Sequence, residues 1–405
     1  MSEQQPPRRR TRKELLRRNK RIAKRRQQRL TVIVVVLTAF MVYITGLYGT
    51  SLAYLGDFVS SGMVYLQFGE GFPIKAENQT YKQSEKMGSA LCVLDSEKLS
   101  FYSPTGGLAH SYYHSMQNPA ISASTKRVAI YNANDTSLKI ANASNILFSQ
   151  EMQNDIVHAS LARNNFVAVT TKSQSYNGEV KVFDSKMQER FSWKSAKAFP
   201  IQSFLSDKAS YMAVSCISAK DGKAVCEVYI IDIDNEQEKY IFNNGENILL
   251  AAEFIKEDSL ILFFSNKAVQ INLKEFSQQE VQPQIKEYSY GGKDLLGYDI
   301  KNSKIVMALG DYNGTFGTDI AVTDLSLNEK FRVHTDKNIT TVMLTSQRIY
   351  ALSDETVSQY TEEGVFVAEQ QVKNNIKNIV DYNGCVAVFS DSIEKIDKAK
   401  IKKQS

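Results

Sequence analysis

The chain has 405 residues, with 49 Lys and Arg against 44 Asp and Glu for a formal net charge of +5. A hydrophobic content of 43% with 20 Gly and 7 Pro excludes a disordered or collagen-like polymer. The mild overall charge hides two opposite parts: residues 1–29 hold 13 Lys/Arg and two acids, a net of +11, whereas the remainder is net −6.

Residues 1–29 read as a basic cytoplasmic tail and 30–55 as a transmembrane helix. From Leu30 to Gly56 there are 27 residues without Asp, Glu, Lys or Arg. About 20 apolar residues suffice to cross a bilayer core of ~30 Å. "TSLAYLG" puts Ser51 and Ala53 at the positions of a signal-peptidase site, but the stretch exceeds the roughly 7–15 residues of a signal core. Cations before such a span keep their own side in the cytoplasm and attract anionic lipid headgroups. They point away from nucleic acid, because no aromatic residues interleave the run for base stacking. The predicted topology is a single pass, with the C-terminal domain extracytoplasmic.

Residues 56–76 form a membrane-proximal segment, and 77–405 read as all-β. Eight apolar runs recur, starting near 89, 127, 166, 211, 260, 304, 348 and 385, from "SALCVLD" to "CVAVFSD". A second alternating run such as "EVKVFD" or "DIAVTDL" follows most of them, then a turn and a third such as "ERFSW". Another alternating segment precedes each. Four strands per repeat of ~40–50 residues predict a β-propeller. Eight inner runs argue for eight blades, with seven plus an irregular insertion as the alternative. The last repeat lacks an outer strand, which 63–76 is placed to supply.

The layout is similar to quinoprotein-type and WD-type repeat propellers. The whole resembles a domain-of-unknown-function family of membrane-anchored propellers of Gram-positive bacteria, which implies an envelope location. The quinoprotein motif is approached only by "VFDSKMQERFSW", with Asp184 and Trp193 but no Thr-Gly, and the Gly-His and Trp-Asp of WD repeats are absent. Neither quinone binding nor WD-type assembly follows from the resemblance.

Chemistry-bearing residues are sparse. The four histidines form no metal-ligand spacing, and "GDYNGTFGTD" offers Asp311, Asn313 and Asp319 without the closing Glu of a calcium loop. No catalytic, cofactor or metal residues are assigned. Cys216 and Cys226 flank Asp221-Gly222; a three-residue loop at 220–222 would set them opposite each other as a disulfide, with two separate buried thiols as the alternative. Enlarged loops between the second and third strands of repeats three, four and six carry Tyr176, Tyr312 and Phe316 at their tips. These loops share one face, and aromatic anchors there point to a protein- or polymer-binding scaffold rather than an enzyme. A ligand-binding sensor or carrier is the alternative function.

Overall fold

The computed structural model describes residues 56–57, 62–64, 66–76, 80–274, 283–312, 317–373 and 376–399. The basic tail and the 30–55 segment lie outside them, as does Phe316. Among the described residues, no helix is long and apolar enough to cross a membrane.

Eight four-stranded antiparallel sheets follow one another along the chain. Seven blades span 83–113, 119–151, 156–195, 199–243, 249–289, 294–335 and 339–371, with strands a to d in simple order from the inside outwards. The eighth takes strands a to c from 376–395 and its outer strand from Ile74–Lys75. Ile74 pairs with Ile393 and Lys75 with Ser392. Among the described residues of the 63–76 stretch, only these two join the ladder. The a–b and c–d turns emerge on one face, called lower here, and the b–c and d–a loops on the upper face.

The eight repeated apolar runs are the b strands. Ala90–Leu94, Val128–Asn132, Val167–Thr171, Ile349–Ser353 and Cys385–Phe389 are buried at every position. A strand inside a stacked sheet has both faces covered, so apolar residues need not alternate with polar ones. Successive side chains instead serve opposite neighbours. Met212, Val214 and Cys216 pack toward blade 3 against Trp193 and Val180, whereas Ala213 between them joins the layer against blade 5. The core is thus a series of apolar layers between blades.

The layer between blades 8 and 1 closes the ring. Val386, Val388 and Ile393 meet Leu91, Val93 and Tyr102, with Phe72 and Ile74 at its edge. The buried Tyr382 hydroxyl lies 2.6 Å and 2.7 Å from the carbonyl oxygens of Ser89 and Tyr102 across the seam. The Asn378 amide donates to the Ser84 carbonyl at 3.2 Å.

Of the two readings of Cys216 and Cys226, the structure holds the separate buried thiols rather than the disulfide. The hairpin closes with Lys220 opposite Lys223, leaving the two-residue turn Asp221-Gly222 at φ 53° and 78°. That register faces Cys226 with Ile217 and Cys216 with Glu227, so the two sulfurs point to opposite faces of the sheet. All four cysteines are buried and free. Burial pushes each thiol up in pKa. None is therefore expected to react with a disulfide reagent at pH 8 until the protein is denatured, when all four should. Labelling of any thiol in the native protein would contradict this packing.

Candidate functional site

Two regions carry the polar chemistry of the propeller: its central channel and its upper rim. Inner strands line the channel, where two adjoining cavities of about 610 and 590 Å³ share Glu85, Lys86 and Arg163. The channel charges are largely tied to neighbouring blades. Glu85 accepts the Ala123 N–H of blade 2 at 2.5 Å and the Gln83 amide at 2.8 Å. Asp299 accepts the Leu344 N–H of blade 7 at 2.6 Å, and the Tyr298 hydroxyl donates to Glu253 of blade 5 at 2.8 Å. Lys301 bonds Asp381 of blade 8.

Low-dielectric surroundings disfavour charge here. Burial pushes Glu85 up to about 7, against the opposing hydrogen bonds. It also raises Glu253 and Asp299, and it lowers Lys301 with help from the nearby Lys86. His158, set between Tyr131 and Phe204 at ring distances of 6.2 and 5.7 Å, is pushed by burial down to about 4. Its neutral ring contributes stability that is present above pH 6.5 and lost as pH falls toward 4. His158→Phe should therefore flatten the acid side of the stability curve relative to the parent. The difference is about 2 kcal/mol across that window once channel water is allowed for, read as urea midpoints at pH 7 and pH 4.5. Glu85 acts in the opposite sense, losing stability as it ionises between pH 4.5 and 7, but it is common to both proteins and cancels. Parallel curves would show that His158 titrates normally.

Chemically, the channel can surround a small polar molecule with carboxylates, two lysines and an arginine. Among the described residues no group of three or more His, Cys, Asp or Glu is placed to hold a metal ion. Asp319, from the stretch with calcium-loop character, is instead held by Lys293 in the loop before blade 6 and by Arg332 and His334 on the outer strand of that blade. Lys293 lies 2.8 Å, His334 2.8 Å and Arg332 3.2 Å from its carboxylate. Burial works to raise its pKa, but these hydrogen bonds together hold the carboxyl below the usual range.

On the upper rim, Tyr176 is 44% and Tyr312 63% exposed. The Lys194 ammonium stands 5.5 Å from the Tyr176 ring centroid, and the Tyr312 hydroxyl donates to the Leu295 carbonyl at 3.2 Å. Tyr176 belongs to blade 3 and Tyr312 to blade 6, with blades 4 and 5 between, so the two loop tips stand apart around the ring. A Cβ on Gly178 would lie 2.5 Å from the Pro200 ring, so the b–c loop of blade 3 sits tight against the start of blade 4. Phe199, immediately before that proline, is 59% exposed, and Ile248 in the next d–a loop is 47% exposed. Sequence reading missed both because it searched only long b–c loops. "AFPI" at a d–a junction was the available signal.

These features define an eight-bladed β-propeller whose ring is closed by a strand from its N-terminal side. The chain belongs to DUF5711, a family of unknown function, whose model matches residues 71–397. Its fold is similar to that of BamB from Moraxella catarrhalis, at 11% identity and a TM-score of 0.55, covering 82% of this chain and 99% of that one. The Cps50 (Swd1) β-propeller domain from Myceliophteria thermophila is similar at 8% identity and a TM-score of 0.49, covering 74% of this chain and 99% of that one. No curated protein matches the sequence.

Proposed function

We propose that this protein is a membrane-tethered, extracytoplasmic propeller of a Gram-positive envelope that holds a protein or wall-polymer partner on its upper face without catalysing a reaction. The observation that carries the scaffold role is the exposure of Tyr176 and Phe199 on two segments that the Gly178–Pro200 approach brings together. Rigid aromatic side chains at a rim supply contact area at little entropic cost. The tether rests on the +11 flank and the 27 uncharged residues that follow it. In this reading the basic tail meets anionic lipid headgroups and no nucleic acid.

Two measurements test it. Protease added to intact protoplasts is expected to remove the propeller and leave a short protected fragment. A domain that survives until the membrane is lysed reverses the topology. For the partner, the full-length protein is copurified from gently solubilised membranes. Tyr176→Ala with Phe199→Ala should lower capture by about tenfold or more, as loss of an interface anchor typically does. Tyr312→Ala, three blades away, should change it by less than about twofold. Undiminished capture by the double variant sinks the upper-face site. The channel cavities and their buried carboxylates favour a second reading, a sensor or carrier for a small polar ligand. A small molecule retained through purification, in place of a protein, would select it.

A further inference from the structure

The lower face carries an apolar ridge where the chain enters the propeller. Met63 is 46%, Leu66 69% and Phe68 84% exposed, and Leu108 at the start of the outer strand of blade 1 is 54% exposed. This is not a loose tail. Val64, between the first two, is 1% exposed in the apolar layer with Phe101, Met116 and Ile121. Farther along, the Thr105 hydroxyl donates to the Gln67 carbonyl at 3.1 Å and accepts the Gly69 N–H at 3.3 Å. The backbones are so close there that a Cβ on Gly69 would lie 2.3 Å from the Gly107 nitrogen. Phe68 is therefore held outward between two fastened residues, its backbone close to Gly107 just before Leu108, and 84% exposed.

Met63 follows Gly56, the last residue of the uncharged stretch, by seven residues, which span at most about 25 Å when fully extended. The other end of the chain leaves by the same face. Ala399 is bonded to the Gln359 side chain at 3.0 Å and to Arg348 in the a–b turn of blade 7. After it come Lys400, Lys402 and Lys403 with no acid, a charge suited to an anionic surface. Apolar and aromatic side chains at the edge of a span are favoured in the headgroup–acyl boundary.

We propose that Met63, Leu66, Phe68 and Leu108 sit in the bilayer interface, docking the lower face on the lipid and turning the Tyr176 side outward. The inference rests on the anchored reading, and the test separates the two. Full-length Phe68→Trp protein is placed in vesicles of phosphatidylcholine and phosphatidylglycerol brominated high on the acyl chains, with Tyr176→Trp as the upper-face comparison. Trp193 is buried between blades and serves as a common background. The Phe68→Trp emission should shift to the blue and be quenched at least threefold more than that of Tyr176→Trp. Protein that floats with the vesicles while both reporters emit as water-exposed and unquenched indoles overturns the ridge and leaves the anchor standing. Protein that fails to float overturns both.

Discussion

A chain that begins at residue 80 is expected to be less stable than one beginning at residue 57 by about 4 kcal/mol, and to self-associate. The reason lies in the seam. The missing residues include Val64, buried in the layer of blade 1, and Phe72 and Ile74, packed against Val388 and Ile393. Fully burying a side chain of this size contributes roughly 1.5–3 kcal/mol, and two of the three are only partly buried. The backbone bond from Ala76 to the Asp391 carbonyl at 2.8 Å goes as well. Strand Ser392–Lys395 would then present an open edge above an uncovered apolar layer, a template for a second chain. Urea midpoints and light scattering read the two effects. Equal midpoints and a monomeric shorter chain would mean that the seam is held by Tyr382 and the inner strands alone.

Asp319→Ala is expected to cost about 2–3 kcal/mol at pH 7. Asp319 itself is 8% exposed, and its removal leaves Lys293 and Arg332 facing each other without their shared anion and His334 without its hydrogen-bond partner. Losing one member of a buried ion network is worse than never having built it, because the remaining charges stay desolvated. The figure sits below that for a fully buried pair because the cations keep part of their surface in water. Its pH dependence is a sharper test. The carboxyl is held below its ordinary pKa, so its contribution is present above about pH 4 and is lost as pH falls through the folded value. The gap between parent and variant should close in acid. A gap of constant size from pH 7 to pH 3 would assign the effect to packing rather than charge.

Much of this architecture was legible because one strand per blade is covered on both sides. The runs containing Leu91, Ile130, Val169, Val214, Leu262, Met307, Ala351 and Ala387 lack the alternation that solvent imposes, so they stand out at a steady interval. Blade number followed from counting them. Parity was not legible. Whether Cys216 and Cys226 share a face depends on a turn of two residues rather than three, and "KDGK" accommodates both. Angular position was not legible either: linear loop length says nothing of it, and the Tyr176 and Tyr312 loops stand three blades apart. The channel ties were hidden as well. Glu85 with Ala123 and Asp299 with Leu344 join residues 38 and 45 positions apart through side chains whose strands look merely polar in sequence.

The composite eighth blade also sets a timetable. Each of the first seven sheets is made of one continuous stretch, so its hairpins can close over short loops as soon as that stretch is available. Ile74 and Lys75 must wait for Ile393 and Ser392, more than 300 residues later in synthesis. Closing a loop of that size costs about 5 kcal/mol of chain entropy by the logarithmic law, a cost met only when the whole stack is ready to receive it. Until then Leu91 and Val93 of blade 1 present an apolar wall to whatever is nearby, and the early blades form an open arc. Completion is therefore a single late event, and a chain stopped before Ile393 has no third strand to receive Ile74 and cannot finish its eighth blade.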